Sequence, residues 1–247
     1  EICKGRVYTD HLRRYAYGVD ASCYSYLPKV VVKAEDEREV RRLIRLCQQC
    51  GTPFTFRAAG SSLSGQCSSE DVLIVCNDGF KKMEVIDDGK ALKCECGVIG
   101  SDANDLLKPY NRKIGPDPAT LATALVGGIL NNNSSGMCCG TAQNSYKTIR
   151  SIRVVLLDGS ILDTSDQKSI DQFLKEKPQM VEDLLQLRKE ILADEELTHL
   201  IHHKYKIKNT TGYGLNSLVD FEDIIDIINH LFIGSEGTLG FVSEIVY

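Results

Sequence analysis

Apolar and polar positions along the chain fall into segments with two distinct periods. The run "KVVVKA" (29–34) is short, β-branched and continuous, as expected of a buried strand. From Asp36 to Cys50 the apolar residues Val40, Leu43, Ile44 and Cys47 recur at the i, i+3, i+4, i+7 spacing of an amphipathic helix. "PFTFRA" (53–58) and "DVLIVC" (71–76) read as further strands. "MEVIDDGKALKCECG" (83–97) predicts a hairpin whose Asp88-Gly89 pair supplies the φ > 0 residues of a tight turn, and "SIRVVLLDGSILDT" (151–164) repeats the pattern around Asp158-Gly159. The Pro116-Asp117-Pro118 turn leads into an Ala/Thr/Leu segment predicted to be helical and to end or loosen at Gly127-Gly128. From Ser165 to about Lys204 the chain is polar with a helical period, and "GTLGFVSEIVY" closes as a strand. The order predicts an α+β fold with mostly antiparallel pairs. It divides into a body over 1–164, a helical insert over 165–207 and a return segment over 208–247 that completes the body. No internal repeat stands out.

The chain has 247 residues, 43% hydrophobic, enough for a sizeable core in one domain or two lobes. A formal net charge of -5 without a basic cluster argues against a nucleic-acid partner. The longest apolar runs, such as "VVLL" (154–157), are far too short to span a bilayer. Ten cysteines in a chain this long read as reduced thiols of a cytoplasmic protein. Because residue 1 is Glu rather than Met and the chain stops inside a strand-like segment, the expectation is the front portion of something longer.

Glycine-rich segments carry the candidate chemistry. "RAAGSSLSGQ" (57–66) follows a strand and is small at nearly every position, which lets successive N–H groups approach an anion. Gly60 to Gly65 has P-loop spacing, but Gln66 and Cys67 stand where Lys and Ser/Thr are required, so nucleotide hydrolysis is disfavoured. A G-x-G-x-x-G fingerprint is also missing. A cradle for a diphosphate that is held rather than cleaved and an ordinary glycine-serine surface loop both remain open. "IGPDPATLATALVGGILNNNSSG" (114–136), "KNTTGYGL" (208–215) and "IGSEGTLGFVSE" (233–244) likewise combine glycines with short polar side chains, or read as a helix cap and polar loops.

The thiols and imidazoles point to less. Cys47 and Cys50 form C-x-x-C on a helix with no second pair at zinc spacing, and Cys94 and Cys96 alternate toward one face of a strand. Cys138 and Cys139 are adjacent, and no C-x₂-C-x₂-C run supports an iron–sulfur cluster. His199, His202 and His203 have a spacing that can bind metal, but their charged neighbours favour a solvated helix face. No metal is expected.

Taken together, "RAAGSSLSGQ", "GPDPATLATALVGGILNNNSSG", "KNTTGYGL" and "IGSEGTLGFVSE" resemble the FAD-binding half of the vanillyl-alcohol-oxidase/PCMH superfamily, in the branch of D-lactate, glycolate and D-2-hydroxyglutarate dehydrogenases. "NNNSSGMCCG" and the long insert are similar to large bacterial members that carry an iron–sulfur region further on. The resemblance implies a PCMH-type fold, two α+β subdomains with FAD between them and a substrate cap downstream. Arg57, Ala58, Ala59, Gly60, Ser61 and Ser62 would form the pyrophosphate loop. Pro116, Asp117 and Pro118 match the family's P-P-D-P turn, with Gly115 in place of the first proline. Gly127 and Gly128 would pack against the cofactor, and Asn131, Asn132, Ser134, Ser135 and Gly136 would line its isoalloxazine and ribityl region. Glu236, Gly237 and Gly240 would border the adenine side or the flavin edge. Some members join FAD to a His just after the loop's glycines; Ser61 and Ser62 take those places here, so noncovalent FAD is expected.

The implied reaction is oxidation of a small D-2-hydroxy acid, D-lactate or D-2-hydroxyglutarate, by hydride transfer to flavin N5. Electrons would pass to a quinone, a cytochrome or an iron–sulfur acceptor. Arg57 and Lys208 are the only cations expected near the flavin, and catalytic groups other than Lys208 are expected beyond residue 247, leaving this segment able to bind FAD but inactive alone. The alternatives are an FAD-linked oxidase that uses O₂, as in glycolate-oxidase-like proteins, and a non-catalytic nucleotide-binding module. Any membrane association should be peripheral, at the inner face, and carried by other parts of the protein.

Overall fold

The computed structural model describes residues 2–210 and 212–247. Its first half holds β1 (Val7–Tyr8), α1 (His11–Ala16), β2 (Val30–Lys33), α2 (Glu37–Gln49), β3 (Phe54–Arg57) and β4 (Val72–Val75). These strands form a sheet in the order β1-β2-β4-β3, in which β2 and β3 both run parallel to β4 while β1 is antiparallel to β2. The antiparallel expectation therefore does not extend to this sheet: β2, α2 and β3 form a crossover unit, and β4 inserts between the two strands. Helix α2 follows its apolar period. Val40, Leu43, Ile44 and Cys47 are buried, and the Asp36 carboxylate caps the first turn by accepting from the Glu39 N–H at 2.7 Å. Cys50 is its exposed C-cap, so the C-x-x-C pair splits between core and surface.

The second half contains β5 (Met83–Ile86), β6 (Ala91–Glu95), α3 (Gly100–Leu107), α4 (Val126–Asn131), α5 (Ser145–Thr148), β7 (Ser151–Leu156) and β8 (Ile161–Asp163). It continues with α6 (Gln167–Glu176), α7 (Pro178–Ala193), α8 (Glu195–Lys204), α9 (Ser217–Asp220), α10 (Ile224–Leu231) and β9 (Gly240–Val246). Here the strand order is β5-β6-β9-β7-β8, with every pair antiparallel. Both hairpins turn at the foreseen residues, where Asp88 and Gly89 have φ of 53° and 85° and Gly159 has φ of 78°. The last strand is central rather than peripheral, inserted between the two hairpins. Within the polar 165–207 stretch, Ile191 and Ile201 are buried together with Leu218 and Ile227 of α9 and α10.

One helix differs from its prediction. Residues 119–123 form turns, and α4 begins only at Val126, so Gly127 and Gly128 lie in its first turn rather than ending a helix. Tertiary pairing overrides local propensity there: Leu125 bridges Ile99, and the Val126 N–H donates to Val98 O at 2.8 Å. Cys94 and Cys96 are both buried but join different core clusters, Cys94 under the second sheet and Cys96 between the sheets.

The two sheets share an apolar seam where Phe241 of β9 meets Phe56 of β3 and Phe80 at ring distances of 5.0 and 5.2 Å. A polar clamp closes the same interface. Arg153 of β7 donates to both carboxylate oxygens of Glu37, at 2.8 and 3.1 Å, and to Asp163 at 3.2 Å, while the Ser243 hydroxyl donates to Glu37 at 2.9 Å. The two carboxylates are largely shielded, so removing the guanidinium leaves them without their counter-ion. Arg153→Met is expected to cost about 2 kcal/mol, below the range for fully buried pairs because Arg153 is one-third exposed. Urea unfolding should show it as a lower midpoint, and adding Glu37→Gln should recover part of the loss.

Candidate functional site

Strand β3 ends at Arg57, and the small-residue segment after it forms one wall of a cavity of about 960 Å³. That places it near the top of the roughly 300–1,000 Å³ spanned by small-molecule and cofactor sites. Ala58, Ala59, Gly60, Ser61 and Ser62 line this wall. Among the described residues, no backbone N–H from Ala58 to Leu63 has a protein acceptor. The loop takes this path because Gly60, at φ 75°, folds it over the Arg57 side chain; a Cβ at Gly60 would fall 2.4 Å from Arg57 Nη2. The guanidinium is itself engaged, donating to Tyr17 O at 2.8 Å and Val19 O at 2.7 Å. Arg57 thus lines the cavity while its charge is directed to the N-terminal segment, which it holds against the loop.

The opposite wall comes from α4 and the turn after it. Gly127, Gly128, Asn131, Asn132, Ser134, Ser135 and Gly136 all line the cavity, with Asp117 and Pro118 beside them. Close packing dictates two of the glycines. A Cβ at Gly127 would sit 2.6 Å from Cys96 Cβ, and one at Gly136 would sit 2.0 Å from Asp117 O. Asp117 is a local organiser, its Oδ1 accepting from the N–H groups of Gly136 (3.1 Å) and Cys139 (3.2 Å). Hydrogen bonding, first from the Cys139 thiol and then from those N–H groups, outweighs burial and holds its carboxyl below the ordinary range. Pro116 does not line the cavity; it is buried behind the turn. Cys139 is buried behind Asp117, whereas Cys138 is exposed and lines the cavity.

The return segment closes the site. Glu236, Gly237 and Gly240 line it, as does Lys208, whose ammonium donates to Ser135 O. Thr211, within "KNTTGYGL", lies outside the described residues. Glu236 ties three segments together. Its N–H donates to Asn131 O at 2.9 Å, and its Oε1 accepts from Asn132 Nδ2 at 2.6 Å and Gln66 Nε2 at 3.4 Å. Burial raises its pKa above the ordinary value, and these two amides only partly offset it.

That shift sets a pH dependence. A carboxyl whose folded pKa is raised ionises first in the unfolded chain, so stability falls as pH rises from about 4.5 through the folded value. Above that window the penalty is constant. Glu236→Gln keeps an acceptor for Asn132 and removes the penalty. The ligand-free variant should therefore melt higher than the ligand-free parent at pH 7, with the advantage vanishing below pH 4.5. A variant that melts lower at pH 7 would contradict the assignment.

Several lining residues escaped the sequence reading: Phe56, Cys76, Cys96, Phe241 and Val242 make an apolar floor, while Gln66 and Cys67 extend the loop wall. The strand segments holding Phe56, Cys76 and Phe241 were legible, but nothing local marks which side of a strand faces a ligand. Ser135 is 6% exposed, lines the cavity and has a buried Oγ with no partner. Among the described residues no cluster of three or more His, Cys, Asp or Glu could hold a metal ion. No described helix is long and apolar enough to cross a membrane.

The family model described as "FAD binding domain" matches residues 28–165. Among curated proteins, the chain is 23% identical over 249 residues to a D-2-hydroxyglutarate dehydrogenase of Haemophilus influenzae, covering 98% of this chain and 24% of that one. It is 26% identical to the D-2-hydroxyglutarate dehydrogenase of Pantoea ananatis, covering 97% and 24%. The chain thus spans about a quarter of the length of these relatives. Among solved structures, an alkyldihydroxyacetonephosphate synthase matches 98% of this chain and 37% of its own with a TM-score of 0.63 at 18% identity, a likeness of fold.

Proposed function

The chain belongs to the FAD binding domain family, and from that premise we propose that it is the cofactor-holding part of an FAD-dependent dehydrogenase for small D-2-hydroxy acids, with D-2-hydroxyglutarate and D-lactate as leading substrates. The observation that carries the FAD assignment is the cavity's chemistry: unengaged loop N–H groups on one wall, an apolar floor, and glycine and short amides on the other wall.

These residues fit the cofactor. The N–H groups of Ala58 to Ser62 would hold the diphosphate, since consecutive amides bind an anion without a cation. That suits a site whose two lining cations, Arg57 and Lys208, are already bonded to carbonyls. The Gly127-Gly128 face and the floor of Phe56, Cys76, Cys96 and Phe241 would pack the flat ring system. Asn132, Ser134 and Ser135 offer short donors and acceptors, Ser135 Oγ being a buried hydroxyl in need of a partner. Glu236 would orient Asn132 and Gln66 and add an acceptor for a ribose or ribityl hydroxyl. Bound here, FAD supplies the hydride acceptor for oxidation of the substrate's C2 carbinol. Ser61 and Ser62 offer no imidazole for a covalent link, so binding is noncovalent. The substrate carboxylate needs a cation, and both cations that line this cavity already donate to carbonyls. The electrons would pass to a quinone, a cytochrome or an iron–sulfur acceptor rather than to O₂.

The direct test purifies the protein with added FAD and records its visible spectrum. A yellow protein whose flavin passes wholly into the supernatant after acid precipitation supports noncovalent FAD. A colourless protein whose melting temperature ignores FAD would overturn the proposal. Slow reoxidation of the reduced full-length enzyme by O₂ separates the dehydrogenase from an oxidase.

A further inference from the structure

A second cavity, of about 390 Å³, lies between the turn after α4, helices α5, α8 and α9, and residues of the 205–209 and 212–216 stretches. Its polar groups are sorted by character. Asn216 is 6% exposed and lines the cavity; its Nδ2 donates to Asp220 at 3.1 Å, yet its buried Oδ1 has no partner. Asn133 repeats the pattern, with Nδ2 donating to Asn209 O at 3.4 Å and a buried, unpartnered Oδ1. Both amide orientations are set by acceptors on the nitrogen side, so each free end is an oxygen that requires a donor. Asp220 adds a carboxylate whose Oδ2 already accepts from Tyr146 Oη at 2.9 Å. The rim is cationic: exposed Lys147 and Lys206 line it, and His202 Nδ1 lies 4.0 Å from Asp220 Oδ1.

An acceptor-lined interior beside a carboxylate repels a buried anion and suits a group with several N–H donors. Lysines at the mouth suit a carboxylate on the same molecule. We propose that this cavity binds a small α-amino-acid-like zwitterion, its ammonium donating to Asn133 Oδ1, Asn216 Oδ1 and Asp220 and its carboxylate facing Lys147 and Lys206. The site is separate from the FAD cavity, shares no lining residue with it, and does not rest on the flavin assignment. Each buried orphan oxygen gains a charge-assisted partner, which outweighs the loss of ligand freedom only when both ends of the ligand are engaged.

The test is calorimetric titration of the protein, with and without added FAD, with L-alanine, and separately with acetate and methylammonium. Alanine should bind at least about tenfold more tightly than either half-molecule, the loss expected when one charged contact set is missing. Lys206→Ala, an exposed substitution that leaves folding intact, should weaken alanine about tenfold while FAD affinity stays unchanged. Asn216→Ser should remove binding, with retained FAD affinity as its folding control. No alanine binding at 50 mM (a concentration of the order of ten times a weak, ~5 mM Kd), or acetate binding as tightly as alanine, would overturn the proposal. Alanine binding that is indifferent to Lys206→Ala would overturn it as well.

Discussion

Gly128→Leu is expected to abolish FAD retention while leaving the fold intact. A Cβ at Gly128 meets only Ala58 Cβ, at 3.4 Å, an ordinary contact, so the backbone accepts the branch. The rest of a leucine then has nowhere to go but the cavity that both residues line. Gly128 also sits in the first turn of α4, where leucine is the better helix former, by about 0.5–1 kcal/mol. The FAD-free variant should melt at or slightly above the parent temperature, and its Kd for FAD should rise about 100-fold or more, equivalent to ~2.7 kcal/mol. Gly127→Leu is the contrasting control: its Cβ would overlap Cys96, so it should lose fold and flavin together. A Gly128→Leu protein that is still yellow would show that FAD lies elsewhere.

Arg57→Lys is expected to be nearly as damaging as Arg57→Ala. The guanidinium reaches Tyr17 O and Val19 O with separate nitrogens, and its Cζ lies 5.9 Å from the centre of the Tyr17 ring. A lysine ammonium is one point and cannot span both carbonyls in this geometry. Both variants should lose about 1–2 kcal/mol in urea unfolding, the scale of two charge-assisted bonds of which one is part-buried and one exposed. Both should also weaken FAD, because the 58–62 loop is folded over this side chain. If lysine restores FAD binding while alanine does not, Arg57 acts as a point charge on the diphosphate and the clamp reading is wrong.

Much of this molecule could be read from local pattern. The 3.6 period of Val40, Leu43, Ile44 and Cys47 marked the buried face of α2, and the Asp-Gly pairs marked both hairpin turns. These features are decided within a few residues, by side-chain period and by which residues tolerate positive φ. The glycine-rich segments were legible for a related reason: Gly127 and Gly136 occupy places where a side chain would overlap Cys96 or Asp117, so composition records the crowding.

Other features had no local trace. The "LATAL" run predicts helix, but residues 119–123 form turns and Leu125 pairs with Ile99, a partner distant in sequence. Pro116 sits within a motif yet turns away from the cavity, because the chain presents Asp117 and Pro118 instead. Arg57 belonged to the correct loop, yet its charge was spent on carbonyls about forty residues earlier.

The sequence by itself therefore determined the elements, their turns and the small-residue segments able to approach a flat anionic ligand. Only the tertiary structure decided that β4 separates β2 from β3, that β9 lies between two hairpins, and that segments near residues 60, 130 and 236 share one cavity. The reason is physical. Period and turn chemistry are set by neighbouring residues, whereas strand order and side-chain direction depend on contacts whose loop-closure cost and packing gain are settled across the whole chain.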